Sequence, residues 1–379
     1  MIVEAFLRWA ETAKAGDRAR AANVLGRAFL GTTMPKAERR AAEMAMTYFL
    51  DDPSPRVRLS LAEALAHSPA APRSVVLSLA EDQPEIAGHV ILCSPLFTDA
   101  DLIDLALRGT SLTRGLIASR GEVSSVVSEA IVEIGGEEEI VCLLENAGAS
   151  ISRASMKRLA ERLGHRAAVR NLLLEHGNLP SDARHVLMQQ VSAALAGFRL
   201  VRAAVGDSRL RHVTREANES GTVAIAGAVQ HDDIPGLVEH LRLSGRLTPA
   251  FLMHALCSGK VDFFAGAIVN LSGCDDRRVR SILGTGRMHA VRALYESAGL
   301  PRDISTIFVE ATLLWRNASR ATRGTILENV SSRLLQTFRR KRGTSNAAAE
   351  LLDMVEKLNI AEQRQSARSF ASQASLAAA

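Results

Sequence analysis

The stretch Asp51–Leu107, DDPSPRVRLSLAEALAHSPAAPRSVVLSLAEDQPEIAGHVILCSPLFTDADLIDLAL, decides how the rest of the chain is read. It holds one unit and then a looser copy of it. Asp52-Pro53 opens the first copy and Gln83-Pro84 the second. After the first opener come an apolar helical face (Val57, Leu61, Ala64, Leu65), a break from Ser68 to Pro72, and a second face (Val75, Val76, Leu79, Ala80). The second copy has Ile86, Val90 and Ile91, a break at Ser94-Pro95, and then Leu102, Ile103, Leu105 and Ala106. One such helical hairpin cannot bury its own apolar stripe. It needs a neighbour on each side, so the repeat predicts an all-α solenoid.

Composition agrees with closely packed helices. Of 379 residues 47% are hydrophobic and only 4% aromatic, so small aliphatic side chains fill the core. Lys plus Arg (46) nearly balances Asp plus Glu (41), and a net charge of +5 does not by itself demand a nucleic-acid or membrane partner. Cys93, Cys142, Cys257 and Cys274 are far apart and form no CxxC, which argues against a zinc cluster and a disulfide framework. The start of the chain, MIVEAFLRWAETAKAGDR, carries acidic residues in its apolar stretch and reads as an amphipathic helix over 2–15, not a signal peptide. No run approaches the length of a membrane span. The expected location is cytoplasmic.

Outward from the opening stretch, helical pieces follow one another, with Gly where helices stop and Ser where they start. Gly109, Gly121, Gly135, Gly148, Gly164 and Gly177 are the stops; Ser124, Ser152 and Ser181 are the starts. A charged helix is expected from Leu200 to Glu219, broken by Ser220-Gly221. A second block of helices runs over 231–337. The expected organisation is helical repeats over 1–200, a C-terminal helical domain over 201–337, and a basic, then Ala/Ser/Gln-rich tail over 338–379. One more helix is expected at Ala347–Leu358, with the last twenty residues disordered or folding only on a partner.

Several residues are candidates for chemistry. In the Asp52-to-Arg58 opener, Asp is expected to cap a helix and Arg58 to bond a carboxylate of a neighbouring repeat. His89/Cys93 and His254/Cys257 share helix faces, but each is half a metal site at best, and their apolar neighbours point to core packing. Cys142 and Cys257 read as small buried hydrophobes. Glu137-Glu138-Glu139 suits a helix start, and His231-Asp232-Asp233 a capping turn. No catalytic, cofactor or metal set emerges. The candidate anion- or partner-binding residues are Arg277, Arg278 and Arg280, early in a helix, and Arg339, Arg340, Lys341 and Arg342. Neither cluster has interleaved aromatics, which weakens base stacking.

The chain resembles the DUF2336 family of α-proteobacterial proteins over roughly 35–315. The resemblance is carried by the opening stretch with its preceding AERRAAEMAMTYFL, by SEAIVEIGGEEEIVCLLENAGASIS, and by RLTPAFLMHALCSGKVDFFAGAIVNLSG with RALYESAGLP. It implies a HEAT-like solenoid, a right-handed superhelix of helical hairpins with a C-terminal helical block, and brings no catalytic residues. The expected function is a non-catalytic protein-interaction scaffold or adaptor in bacterial signalling or regulation, with an unidentified protein partner and a homodimer as one form. Nucleic acid or a nucleotide, held by the Arg clusters, ranks second.

Overall fold

A computed structural model describes residues 8–320, 330–339 and 345–377. Every regular element among them is helical, and their one β pairing is an isolated parallel bridge between Val123 and Ala149. The chain divides into two compact units, Met1–Leu179 and Pro180–Ala379.

The N-terminal unit contains α1 (Ala15–Gly31), α2 (Lys36–Leu50), α3 (Pro55–Leu65), α4 (Arg73–Ala80), α5 (Pro84–Cys93), α6 (Asp99–Arg108), α7 (Ser111–Ala118), α8 (Ser125–Ile134), α9 (Glu137–Glu145), α10 (Arg153–Leu163) and α11 (Ala167–Glu175). Local chemistry sets the starts. Pro55 and Pro84 occupy first helical positions, where a missing N–H costs nothing. Thr98 with Asp101 and Thr110 with Thr113 form capping boxes, and the Ser124 and Ser152 hydroxyls accept from backbone N–H groups one turn on. The apolar faces read from the sequence are the buried ones: Val57, Leu61 and Leu65, then Val75, Val76 and Leu79, then Ile86, Val90 and Ile91.

Packing follows the order of the chain. Each odd-numbered helix from α1 to α11 packs on the next odd-numbered one, while α2 packs on α4, α6 on α8 and α8 on α10. Arginines tie successive hairpins together. Arg18 donates to both carboxylate oxygens of Asp52 at 2.7 and 2.9 Å. Arg58 does the same to Asp82, at 2.6 and 3.0 Å, and a third N–H reaches the Asp52 carbonyl oxygen. The bond foreseen for Arg58 is therefore formed; Asp52 accepts the Ser54 N–H in the turn before α3, but the N-cap is Ser54 and no side chain caps this helix, so the capping role expected of Asp52 is not the one it has. Burial alone would raise the pKa of Asp52, but the hydrogen bonds and charge of Arg18 and the Ser54 N–H together hold it below the ordinary value. Further along, Arg120 donates to the carbonyls of Ile91 and Ser94, and Arg162 to those of Val132 and Gly135, closing helix ends whose carbonyls lack partners.

The Arg58–Asp82 pair is largely shielded, with the side chains 13% and 14% exposed. Asp82→Ala leaves that guanidinium desolvated and without its carboxylate, an expected loss of about 2–3 kcal/mol. The two tryptophans report the units separately, Trp9 in the first and Trp315 in the second. The check is the urea midpoint followed by Trp9 in a Trp315→Phe background, where D82A should unfold earlier.

The C-terminal unit contains α12 (Ser181–Gly197), α13 (Arg199–Val205), α14 (Asp207–Ala228), α15 (Ile234–Leu243), α16 (Pro249–Cys257), α17 (Val261–Ser272), α18 (Asp276–Thr285), α19 (Met288–Ser297), α20 (Arg302–Arg320), α21 (Val330–Arg339) and α22 (Asn346–Ala377). The division falls ahead of α12, which packs on α14 and α15; the boundary read from the sequence, at residue 200, follows it. An aromatic group centred on Phe264, Tyr295 and Phe308 forms the heart of the core. The Tyr295 hydroxyl is satisfied by Thr312 at 2.5 Å. In α22, Ala348, Leu351, Val355 and Leu358 are buried, as the helix read at 347–358 requires. The helix then runs on to Ala377, because its Ala-, Ser- and Gln-rich sequence contains neither Gly nor Pro; none of its described side chains after Leu358 is buried.

Candidate interaction surface

Arg277 and Arg278 lie exposed in the first turn of α18, where their backbone N–H groups donate to Asp275. Arg280 is already engaged. It donates to Asp276 at 3.0 Å and to Asp262 at 2.7 Å, and these bonds, Asp262 first, raise its pKa. Arg340, Lys341 and Arg342 lie outside the described residues, as does the side chain of Arg339. Of the three described arginines, Arg280 alone has its side chain engaged by carboxylates.

His89 and Cys93 do not pack in the core. Ile86 and Val90 take the buried face of α5, which turns both residues, four apart, to solvent. Cys257 is buried, and burial pushes its thiol up to about 12; burial also lowers the pKa of His254. Cys142 is half-buried. Glu139 closes its own capping box by accepting the Gly136 N–H at 3.0 Å and pairs with Arg114 at 3.2 Å, so its carboxylate is occupied structurally. Among the described residues, no group of three or more His, Cys, Asp or Glu is placed to hold a metal ion.

A further surface is marked by no sequence motif. From Leu195 to Arg215, spanning the end of α12, all of α13 and the first half of α14, Leu210 is the one buried residue. Large apolar side chains are nevertheless concentrated there. Leu200 is 75% exposed and Phe198 60%, and Leu195, Val205 and Val213 are exposed with them. Five arginines (Arg199, Arg202, Arg209, Arg211 and Arg215), all exposed, accompany a single carboxylate, Asp207. Arg202 takes that carboxylate in a two-pronged bond at 2.9 and 3.1 Å. This bond and its charge hold Asp207 below the usual carboxylate range. None of the other four is in an ion pair among the described residues, although the charge of Arg211 also helps to hold Asp207 low.

Two breaks shape this arm. Extended backbone at Phe198 separates α12 from α13, and Gly206, with φ +82°, separates α13 from α14 in a conformation that favours glycine. The break expected at Ser220-Gly221 is absent, and α14 runs through it to Ala228. Gly221 is instead a contact glycine: a Cβ there would overlap Met188 Sδ of α12. At the same base, the Ser192 hydroxyl donates to Asn218 Oδ1 at 2.6 Å. The arm is therefore anchored at its root and, Leu210 apart, has no buried side chain along its length. The sequence predicts only a charged helix from Leu200 to Glu219; the signal of this surface is the mixing of Arg with large apolar residues over 198–215.

Among the described residues no helix is long and apolar enough to cross a membrane. A family model described as "Uncharacterised protein conserved in bacteria (DUF2336)" matches residues 86–348, which include the whole arm and begin inside α5. No curated protein and no solved structure matches the chain.

Proposed function

We propose that this chain, which belongs to the bacterial DUF2336 family, is a non-catalytic interaction scaffold whose α12–α14 arm docks a protein partner. The observation that carries this reading is the arm itself: Phe198 and Leu200 stand in solvent beside five arginines that share one carboxylate. Exposed apolar side chains grouped within a polar surround mark binding surfaces. The combination fits a partner segment with an apolar stripe flanked by Asp and Glu, so that burial supplies affinity and the arginines orient the approach. The stacking of alternate helices in the N-terminal unit supports a HEAT-like solenoid there, and its right-handed superhelix is part of the same proposal. A role in bacterial signalling or regulation, in the cytoplasm, is part of the same proposal.

The test is affinity capture from native extract, with and without nuclease, by the full chain and by a Phe198→Ser/Leu200→Ser variant. A stoichiometric protein should survive nuclease on the parent chain. On the variant its affinity should fall about a hundredfold, as expected when two anchoring side chains are lost. Thermal stability should be unchanged, since neither residue is packed. A second copy of the chain is one form of this partner and would show as a dimer in sedimentation that the variant lacks. Capture of nucleic acid alone, released steeply by salt, would refute the scaffold and leave the arginines as the site.

A further inference from the structure

A pocket of about 180 Å³ opens in the C-terminal unit between α16, α17, α18 and α20. Its lining is predominantly apolar, with Leu256, Phe264, Leu283 and Trp315 prominent, and two guanidinium groups, Arg280 and Arg316, reach it. For scale, an apolar cavity of about 150 Å³ holds one benzene.

The two arginines are not equivalent. Arg280 is matched by the carboxylates of Asp276 and Asp262. Arg316 has no ion pair among the described residues. One of its N–H groups donates to the Thr285 carbonyl at the end of α18, which fixes the guanidinium in place. Gly286 makes room for it, since a Cβ there would overlap Arg316 Nη1. Its Nε is buried and has no hydrogen-bond partner among the described residues. The guanidinium therefore reaches the pocket held in place and with no carboxylate partner among the described residues.

We infer that this pocket binds a small carboxylate with a single-ring or short-chain apolar body, the carboxylate taken by Arg316 and the body lying among Leu256, Phe264, Leu283 and Trp315. The size of the pocket sets the size of the body. The charge follows from the carboxylates already present: Asp262 and Asp276 beside Arg280 leave one cation unmatched and disfavour a dianion such as a phosphate monoester. This site is separate from the proposed docking arm and stands or falls independently of it.

Gly284 gives a test that leaves Arg316 untouched. It lines the pocket from within α18, and a Cβ added there meets nothing within 4 Å. Gly284→Leu should therefore fill the pocket while improving helix propensity. The experiment titrates benzoate, and benzamide as its neutral counterpart, into the full chain carrying Trp9→Phe, so that emission comes from Trp315. Benzoate is expected to shift the emission saturably and raise the Tm. Benzamide should bind about tenfold more weakly or worse, the discrimination expected from one charge-assisted hydrogen-bonded contact. G284L should keep or raise the Tm and lose the benzoate response, and R316Q should reduce benzoate binding to the level of benzamide. Equal binding of the two probes, no saturable response to benzoate, or a full response in G284L would overturn the inference. The probe comparison and G284L decide the matter even where R316Q does not fold.

Discussion

Gly148→Ala should destabilise the N-terminal unit by about 3 kcal/mol, whereas Gly121→Ala, across the same turn, should change stability by no more than about 0.5 kcal/mol. The two glycines face each other where residues 119–123 meet 146–150. A Cβ on Gly148 would lie 2.9 Å from the Gly121 carbonyl carbon and closer still to its oxygen. Backbone atoms cannot rotate aside as the end of a side chain can, so the two segments must separate. Separation strains a set of short bonds. Asn146 Nδ2 donates to the Ala118 and Arg120 carbonyls, each at 2.7 Å, and Asn146 Oδ1 accepts the Gly148 N–H at 2.8 Å. The Val123 N–H donates to the Gly148 carbonyl at 3.1 Å, and the Ser150 N–H to that of Val123 at 2.9 Å. Backbone conformation is not the obstacle, because the φ of Gly148 is not positive. The penalty is overlap plus weakened hydrogen bonds. A Cβ on Gly121 meets nothing within 4 Å, which makes it the control. Urea unfolding followed by Trp9, with Trp315 replaced by Phe, measures both; equal midpoints for the two variants would refute the account.

The second large effect is of pH on the C-terminal unit, which should lose up to about 3 kcal/mol through His185 as the pH falls from 6.5 to 4. His185 is completely buried on α12. Its Nδ1 lies 3.0 Å from His240 Nε2 of α15, and the Gln189 side-chain nitrogen lies 3.0 Å from its Nε2. Burial first, then the charges of His240 and Arg246, lower its pKa from 6.5 to about 4, with Asp182 opposing. The Gln189 N–H needs an acceptor, which also favours the neutral ring.

The sign follows from which state binds the proton. Between about 4 and 6.5 the unfolded chain protonates this histidine and the folded chain does not. The stabilisation is thus fully present above the unfolded value and is lost as the pH falls toward the folded one. His254, also lowered by burial, adds a slope of the same sign. Urea midpoints read from Trp315 at pH 7 and 4.5 should differ clearly in the Trp9→Phe chain. The difference should shrink in His185→Gln, which keeps a polar side chain that does not titrate. A slope unchanged in H185Q would mean that other groups cause it.

Helix starts and stops could be read from residues because their causes are local. Thr98, Thr110, Ser124 and Ser152 cap the helices they precede, Pro55 and Pro84 begin theirs, and Val57, Leu61 and Leu65 recur at the spacing of one buried face. The partner of Arg58 was legible in kind, as a carboxylate of the next hairpin, because the opener recurs. Local signals also misled. Gly221 looks like a stop, yet α14 runs through it, and a Cβ there would overlap Met188 of α12; only the presence of Met188 opposite distinguishes the two roles. His89 and Cys93 look like core, yet face solvent because Ile86 and Val90 claim the buried side of α5.

The chain by itself determined that the protein is helical, where most helices begin, and that hairpins tie to their neighbours through Arg and Asp, since capping, periodicity and charge act within a few residues. The tertiary structure alone decided which apolar residues remain uncovered and which cations remain unmatched. Phe198 and Leu200 differ in kind from no core residue, and Arg316 from no other arginine. Exposure and missing partners depend on atoms distant in the chain, and no residue carries that information in its own side chain.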